Sequence, residues 1–389
     1  MEVNKILSLL PNDLLEELAL ETNVNKYSKK LQGEVIFKLL LHCILSHKDN
    51  SLRIMASAYE SIAFNLLSTP ISKRSIRYSS ISERLSSIDS LYFEKVYHKC
   101  VEIYGPLIED KSNTIIRFDS TIVALSSKLL QIGYLLKGGD AAHVRQIKYT
   151  VGLSEIPRSI HFFQEQKYTS ENVALKEAVL EYEPVKSNPI RVFDRGITSR
   201  KTHDELTEKN IPFISRVNVN CKYIIHRENV IKSVIETPSL IIIEDSWMYL
   251  YSDKSIRAKH PIRCIKAEKK ETKEVFWFVT NVTELSAEEI TNIYKKRWDI
   301  EVFFKFLKQE LNFSHLLNRS ENGAKVVLYA TLIAAILLLV YKKKNKLIGY
   351  KIMKLQFVQE IEKLIMLDIV IMCDGNPEKA IKLLKINSS

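Results

Sequence analysis

The stretch Thr114-Ile-Ile-Arg-Phe-Asp119 marks the place where the chain changes from helical to β-type patterning. Upstream of it, from residue 11 to about residue 108, apolar side chains recur at helical spacing with almost no alternation. The stretch itself is β-branched and aromatic, which predicts a buried strand that ends on an acid. We therefore predict an all-helical region over residues 1–110, followed by an α/β region over residues 111–389.

The pattern downstream of this strand predicts alternating strands and helices in the order βββαβαβ, which is typical of an α/β fold. The predicted strands after the first cover residues 144–153, 156–164, 189–194 and 212–217, and the predicted helices cover residues 171–182 and 201–209. Short alternating pieces over about residues 218–275 predict a β-rich insertion. A capping box at Ser286 and Glu289 then predicts the start of one long helix, and C-terminal helices follow over about residues 320–389.

The bulk composition is that of a globular protein with a basic excess. Hydrophobic residues make up 46% of the 389 residues, and 57 Lys and Arg outnumber 46 Asp and Glu to give a formal net charge of +11. This excess favours a polyanionic partner such as nucleic acid. The five cysteines are widely spaced and form no C-x-x-C pair, which argues against a zinc site and predicts free thiols in a reducing cytosol. No leader-like run follows Met1, so a cytoplasmic location is expected.

One uncharged run, over residues 326–341, invites a membrane interpretation. It is shorter than the roughly 20 apolar residues that a membrane span requires. A helix that is apolar all round is also typical of the centre of a large domain. We favour a buried helix and no membrane partner, and an integral membrane protein stays as the distant alternative.

A basic segment over residues 72–84 contains Lys73, Arg74, Arg77 and Arg84. It is predicted to interrupt the helical run, and two interpretations of it stay open. It is either a surface that contacts DNA or a solvated loop between two helices.

A second basic feature lies in the predicted long helix, where Tyr294, Arg297, Glu301 and Lys308 follow one another at gaps of 3, 4 and 7 residues. These are same-face spacings, so one stripe of the helix carries a phenol, a guanidinium, a carboxylate and an ammonium group. A site for phosphoryl transfer needs such a mixture, a carboxylate for a metal ion and cations for phosphates. A solvated amphipathic helix is the alternative.

Two further acids, Asp119 and Asp194, each follow an apolar strand. If those strands are neighbours, the two side chains converge, and a helix across the sheet can bring Glu301 beside them. Three close carboxylates repel one another unless they bind cations, and hard oxygen ligands select Mg²⁺ or Mn²⁺. Two such ions about 3.5 to 4 Å apart would activate a water or a 3′ hydroxyl and stabilise the leaving oxygen.

These motifs together resemble those of the DDE transposases of bacterial insertion sequences, of the family four type. The resemblance is carried by Phe118-Asp119-Ser120-Thr121, by Phe193-Asp194-Arg195-Gly196, and by the Y-R-E-K signature from Tyr294 to Lys308. It covers roughly residues 113–341. One departure is Ile197, which stands where an aromatic residue is frequent.

The resemblance implies an RNase H-like (retroviral integrase-like) core with a helical DNA-binding domain over residues 1–110. It implies that Asp119, Asp194 and Glu301 hold two divalent cations, and that Tyr294, Arg297 and Lys308 contact DNA. The expected function is cut-and-paste transposition, in which a homodimer binds double-stranded terminal inverted repeats, cleaves them and joins them to target DNA. A catalytically inactive or repurposed relative that only binds DNA is the alternative. Intact acids argue against that alternative.

Aromatic residues of the insertion could stack on a base that leaves the DNA helix. Trp247, Tyr249 and Trp277 are the candidates, and Trp247, beside Asp245, is the favoured one. Core packing is the favoured role of Trp277, because it lies in an unbroken apolar strand.

Overall fold

The computed structural model describes residues 2–47, 50–68, 75–109, 115–124, 133–135, 145–184, 188–229, 235–252, 256–313, 317 and 320–385. Every element in the described part of the chain before residue 110 is a helix, as predicted. These helices are α1 (Val3–Leu7), α2 (Asn12–Glu21), α3 (Gly33–Ser46), α4 (Leu52–Glu60), α5 (Ile62–Leu67), α6 (Tyr78–Ser87) and α7 (Ser90–Ile108).

The α/β region begins with a mixed sheet. Its strands are β1 (Ile115–Ala124), β2 (Tyr134–Leu135), β3 (Arg145–Leu153), β4 (Pro157–Phe163), β5 (Ile190–Phe193) and β6 (Phe213–Val217), with helices α8 (Glu171–Glu181) and α9 (Arg200–Glu208) between the later strands. β3 lies antiparallel to both β1 and β4, whereas β1, β5 and β6 are parallel neighbours. The predicted mixed α/β class is confirmed, and this arrangement is consistent with an RNase H-like core.

The β-rich insertion continues the same sheet. It contributes β7 (Tyr223–Glu228), β8 (Ile235–Glu236), β9 (Leu240–Leu250), β10 (Ile262–Lys269) and β11 (Val275–Thr280). β11 pairs antiparallel with β6, and β10, β9 and β7 follow in that order toward the far edge. The described strands therefore form a single eleven-stranded sheet.

Five helices follow the sheet: α10 (Ala287–Lys295), α11 (Trp298–Glu310), α12 (Glu321–Lys344), α13 (Tyr350–Met372) and α14 (Pro377–Leu384). The predicted capping box is present, with the Glu289 amide bonded to the Ser286 hydroxyl and the Glu289 carboxylate bonded back to the Ser286 amide. The prediction of one long helix is wrong, because the backbone tightens between α10 and α11. There the amides of Lys296 and Arg297 bond to the carbonyls three residues earlier, at 3.1 and 2.9 Å, as in a 3-10 turn.

α12 is the central helix of the fold. It is long and apolar enough to cross a membrane, yet 89% of its most apolar window is buried inside the protein. It packs chiefly against α7 and α3, so the prediction of a buried core helix is confirmed. Side chains of the N-terminal helices and of α11, α12 and α13 belong to one hydrophobic cluster. The predicted domain boundary at residue 110 stays a prediction, since the core runs across it.

Strand β1 separates two environments. Ile116 and Phe118 point to one face and pack with residues of α8 in a second hydrophobic cluster. Because side chains alternate along a strand, Arg117 and Asp119 point to the opposite face, where α11 crosses. We call these the α8 face and the α11 face.

Candidate active site

Asp119 and Asp194 lie on neighbouring strands, as the sequence predicts for converging acids. β1 and β5 run parallel, and their last paired residues are Phe118 and Phe193, each directly before one of the acids. Asp194 follows the end of β5. The expectation that Asp119 ends its strand is wrong, because β1 continues to Ala124 through its pairing with β3. Asp119 instead marks the point where parallel pairing stops.

Local hydrogen bonds orient both carboxylates. The Ser120 amide donates to Oδ1 of Asp119 at 2.8 Å, and the Gly196 amide donates to Oδ1 of Asp194 at 2.8 Å. A Cβ on Gly196 would lie 2.8 Å from that same Asp194 oxygen and 3.0 Å from Cβ of Glu171. The tight turn after Asp194 therefore requires glycine. Ile197, the departure from the family pattern, is fully buried in the core below this turn.

Arg297 joins the strand acid to the helix acid. Its Nη1 lies 3.5 Å from Oδ2 of Asp119, and its Nη2 lies 2.5 Å from Oε1 of Glu301. The Arg297 side chain is 14% exposed, whereas those of Asp119 and Glu301 are 21% and 32% exposed. The guanidinium therefore lies between two partly exposed carboxylates at the surface of the α11 face. The structure thus brings two members of the predicted stripe, Arg297 and Glu301, together with Asp119.

The other two members of the stripe lie at its ends. Tyr294 is half-buried near the C-terminal end of α10, where its ring packs edge-on against Phe278 at 5.2 Å between centroids. Lys308 is half-buried in the last turn of α11, and its Nζ lies 3.4 Å from the carbonyl oxygen of Ile122 on β1. Burial lowers the pKa of Lys308. Tyr294 is thus held mainly by packing, and Lys308 reaches along β1 beyond the acids.

The raised pKa of Asp119 indicates that the negative charge of the site exceeds its positive charge. Burial raises the pKa of its carboxyl group to about 6 from an ordinary 3.8. The Ser120 amide and the Arg297 charge act in the opposite direction, while the charges of Asp194 and Glu301 raise the pKa further. Since charges act on one another in this way only at short range, the three acids share one electrostatic environment. An additional cation there would be stabilising.

The donor set fits a hard divalent cation, because it consists of carboxylate oxygens. Among the residues that the structure describes, however, no three His, Cys, Asp or Glu side chains already stand at the spacing of a closed metal site. The guanidinium of Arg297 instead contacts the carboxylates of both Asp119 and Glu301. A bound cation would therefore take over part of the charge balance that Arg297 provides.

A second polar group behind the acids was missed by the sequence analysis. On the α8 face, Nζ of Lys148 lies 2.7 Å from Oε1 of Glu171, and the Ser120 hydroxyl donates to Oε2 of Glu171 at 3.0 Å. The Ser120 hydroxyl is also 2.8 Å from that of Thr150. Lys148 is 1% exposed. The available signal was a lysine in the middle of a predicted strand, because a buried lysine needs a partner.

The structure tests one of the roles predicted for the aromatic residues of the insertion. Trp277 is buried, and Nζ of Lys266 lies 4.4 Å from its ring centre, so its predicted role in core packing is confirmed. Trp247 is half-buried, and the Arg227 guanidinium lies 5.9 Å from its ring centre. Asp245, beside Trp247, is buried in an ion pair with Arg263 at 2.6 Å. A stacking role for Trp247 and Tyr249 stays a prediction.

The basic segment of residues 72–84 is only partly described, and Lys73 and Arg74 lie outside the described residues. From Tyr78 onward it is helix α6, so the predicted interruption of the helical run is wrong there. Arg84 is used internally, since it donates to the carbonyl oxygens of Leu31 at 2.8 Å and Val24 at 2.5 Å. Arg77 is exposed.

Arg77 faces a groove of about 750 Å³ whose opposite wall is a loop after α2. The basic side chains on that wall are Lys26, Lys29 and Lys30, all exposed, and one acid, Glu83, also lines the groove. The lysines of this loop were missed by the sequence analysis.

Comparisons with known proteins agree with this geometry. A family model described as the transposase DDE domain matches residues 111–339, more than half of the chain. The chain is 29% identical over 238 residues to a putative transposase for insertion sequence element IS4SA of Synechocystis, covering 58% of this chain and 59% of that protein.

Two further relatives are also named as transposases. The putative transposase y4zB of Sinorhizobium fredii is 26% identical over 163 residues, 42% of this chain and 45% of that protein. The probable transposase for insertion sequence element IS5377 of Geobacillus stearothermophilus is 28% identical over 149 residues, 38% of each chain. The matches thus span between 38% and 59% of the length of these relatives.

Proposed function

This chain belongs to the transposase DDE domain family, and from that premise we propose that it binds the terminal inverted repeats of an insertion sequence, cleaves the DNA there and transfers the ends to a target. The observation that carries the proposal is the meeting of Asp119, Arg297 and Glu301 beside Asp194. Asp119 lies on β1, Asp194 follows β5, and Arg297 and Glu301 lie at the start of α11. An arrangement of acids around one cation has the chemistry of a phosphoryl-transfer site.

Asp119, Asp194 and Glu301 would hold the divalent cations, Mg²⁺ or Mn²⁺, that such transposases use. When bound, these cations activate the attacking hydroxyl and stabilise the leaving oxygen at phosphorus. The protein's own contribution is to orient the carboxylates. The amides of Ser120 and Gly196 fix one oxygen of each strand acid, and Arg297 restrains Glu301 through a charge-assisted bond.

Arg297 and Lys308 would bind phosphates of the DNA end. A guanidinium offers a planar fork to phosphate oxygens, and an ammonium offers a point charge. When a cation neutralises the acids, the charge of Arg297 becomes available to a phosphate beside them. Tyr294 would help to hold Arg297 in place for the phosphate contact, since the Arg297 guanidinium lies 6.0 Å from the centre of the Tyr294 ring.

The helical region of residues 1–110 would supply much of the DNA affinity, with residues 111–389 as the catalytic region. The groove formed by Lys26, Lys29, Lys30 and Arg77 supports this division, because exposed cations around a concave surface match the phosphate backbone. We expect the protein to act in the bacterial cytoplasm, at the nucleoid. We also expect a homodimer in the synaptic complex, so that each protomer acts on one DNA end.

Cleavage of DNA that carries the inverted repeats flanking this gene tests the proposal. With Mg²⁺ present, the wild-type chain should nick or cut at the repeat ends, whereas Asp119→Ala, Asp194→Ala and Glu301→Ala should bind the DNA without cutting it. Glu288→Gln is a matched control, because Glu288 is an exposed acid on α10 outside the cluster. Wild-type cutting by all three alanine variants would refute the assignment.

Binding to the repeats without cutting under any divalent ion would instead favour the alternative of a repurposed DNA-binding protein. DNA binding and DNA cleavage can be separated in this way, because the affinity for DNA comes mainly from cationic contacts to phosphates and does not require the carboxylates.

A further inference from the structure

The joint between α10 and α11 is held by a buried arginine of β1. Nε of Arg117 donates to the carbonyl oxygen of Lys296 at 2.7 Å, and its Nη1 donates to the carbonyl oxygen of Ser154 at 3.1 Å. Its Nη2 lies 3.5 Å from Oδ2 of Asp299 in the first turn of α11. Arg117 is 6% exposed, so its bonds to the two carbonyls are largely shielded from water, whereas Asp299 is 62% exposed. One side chain thus connects the catalytic strand to the backbone of the joint.

We propose that Arg117 is a positioning residue, which sets where Glu301 and Arg297 stand relative to Asp119. The inference rests on the proposed function, since it assigns a role within that site. Lys296 immediately precedes Arg297, so the carbonyl that Arg117 holds belongs to the peptide bond that leads into the residue bridging the acids. Arg117 stands two residues before Asp119 on the same face of β1.

The distances from this tether to the two acids are similar. Along the strand, two residues from Arg117 to Asp119 span about 6.7 Å, since a strand rises ~3.3 Å per residue. Along the helix, the five residues from Lys296 to Glu301 span about 7.5 Å, at ~1.5 Å per residue. The tether therefore joins β1 to the base of α11 at a similar distance from each of the two acids. A shift of α11 at its base would carry Glu301 away from Asp119 by a comparable amount.

Only arginine suits this position. A guanidinium has five donors in a rigid fork and can serve two carbonyls and a carboxylate at once. Lysine retains the charge but offers a single nitrogen, which can reach one carbonyl well. Methionine fills similar space but leaves the carbonyls of Lys296 and Ser154 without this donor, which frees the joint to move.

A matched control lies on the neighbouring strand. Arg191 of β5 is also buried, and it donates to main-chain carbonyls at the end of α8, those of Val179 and of Tyr182, the latter at 3.0 Å. Its neighbour in the strand register is Ile116. Arg191→Met therefore removes the same kind of buried contact on the same sheet without touching the joint.

The first experiment measures cleavage of inverted-repeat DNA against Mg²⁺ concentration for wild type, Arg117→Met, Arg117→Lys and Arg191→Met. We expect Arg117→Met to cleave about 10- to 100-fold more slowly and to need more Mg²⁺ for half-maximal rate, as for other losses of support behind metal ligands. Its affinity for the DNA should stay within about threefold of wild type, since phosphate contacts dominate affinity. Arg117→Lys should restore part of the rate. Arg191→Met should keep the wild-type Mg²⁺ dependence.

The second experiment needs neither DNA nor metal. The chain has three tryptophans, and Trp298, 61% exposed, is the first residue of α11. In fluorotryptophan-labelled protein, with the Trp298 resonance assigned through Trp298→Phe, Arg117→Met should shift or broaden that ¹⁹F signal and leave those of Trp247 and Trp277 in place. Arg191→Met should leave the Trp298 signal unchanged. If Arg117→Met folds poorly, Arg117→Lys gives the same comparison with a smaller shift.

The two experiments separate the two ways of failing. A wild-type chain that never cuts inverted-repeat DNA would overturn the proposed function, while the Trp298 signal would still report on the joint. Two results would overturn the positioning role. One is a Trp298 signal in the Arg117 variants that coincides with that of wild type. The other, given a wild type that does cut, is a Mg²⁺ dependence of Arg117→Met that equals that of wild type.

Discussion

The two faces of β1 both bury charge, but they do so in different ways. On the α8 face, Lys148 and Glu171 form a bridge of 2.7 Å that the hydroxyls of Ser120 and Thr150 complete. On the α11 face, Asp119 is bridged to Glu301 through Arg297, and the longer of those two contacts measures 3.5 Å.

We infer from this difference that the α8 face carries a structural polar group and the α11 face a reactive one. Although Glu171 is 38% exposed, the α8 group has little further affinity for a ligand, because its donors and acceptors already serve one another. The α11 face keeps an acid whose pKa is raised by burial and by like charges, which is the usual condition of a functional carboxylate. Asp119 and Ser120 are neighbours on one strand, yet Asp119 belongs to the group on the α11 face and Ser120 to the group on the α8 face.

The largest expected effect comes from neutralising the acids of the α11 face. Asp194→Asn and Glu301→Gln should each lower the DNA cleavage rate by on the order of 10³-fold or more, since each removes a charged ligand of the divalent cations that we propose act on the phosphate. Binding of end DNA, followed by gel shift, should persist. Loss of binding together with cleavage would mean that these acids support the fold and not the chemistry.

The α8 face should respond in stability. Lys148→Met leaves Glu171 without its cation and should lower the free energy of unfolding by about 2 kcal/mol, less than for a fully enclosed pair because Glu171 is 38% exposed. Urea unfolding measures this, and adding Glu171→Gln should recover part of the loss. The control is Lys167→Met, whose partner Glu165 is also exposed, and it should have almost no effect. Lost cleavage with unchanged stability would make this face catalytic as well.

The raised pKa of Asp119, about 6 against an ordinary 3.8, predicts how stability depends on pH without metal. Between these two values the folded state holds a proton that the unfolded state has released, so stability falls as pH rises through about 4 to 6 and then levels off. The difference is worth at most about 3 kcal/mol. Asp119→Asn should lose this slope and melt higher than wild type at pH 7.5 in chelator. Identical pH profiles of the two proteins would contradict the assigned environment.

The smallest effect is expected at the edge of the α11 face. Lys308→Gln should weaken DNA binding by a few fold and reduce the slope of log affinity against log salt concentration by about 1, as for the loss of one phosphate contact. Lys351→Gln, at an exposed lysine of α13, is the control. An unchanged salt slope for Lys308→Gln would mean that Lys308 only braces α11 against β1.

Much of this fold follows from local pattern. Strand β1 is rich in β-branched residues, α12 has no charge over its centre, and the capping box at Ser286 predicts the start of α10. Each of these elements can therefore be predicted from residues close in the sequence. The spacing of Tyr294, Arg297 and Glu301 also predicts that the three groups lie near one another. The assumption behind this prediction, one continuous helix, is wrong, since the stripe crosses a joint between two helices.

The joint itself could not be predicted, because no proline or glycine marks it and its tether comes from a residue on a distant strand. The same holds for Lys148 and Glu171, whose partnership depends on how β3 and α8 meet in space. The continuation of the core sheet into the insertion is also a matter of pairing between β6 and β11. Such long-range contacts leave no periodic trace in a single sequence.

The burial of α12 also bears on how the chain is made. α3 and α7 provide most of the surface that covers α12, and α7 ends at Ile108, long before α12 begins at Glu321. During synthesis that cover is already outside the ribosome when the apolar helix emerges, so its exposure is brief. A fragment that begins after α7 would present the helix bare to the solvent and should aggregate on expression. Co-expression of residues 2–109 as a separate chain should restore its solubility.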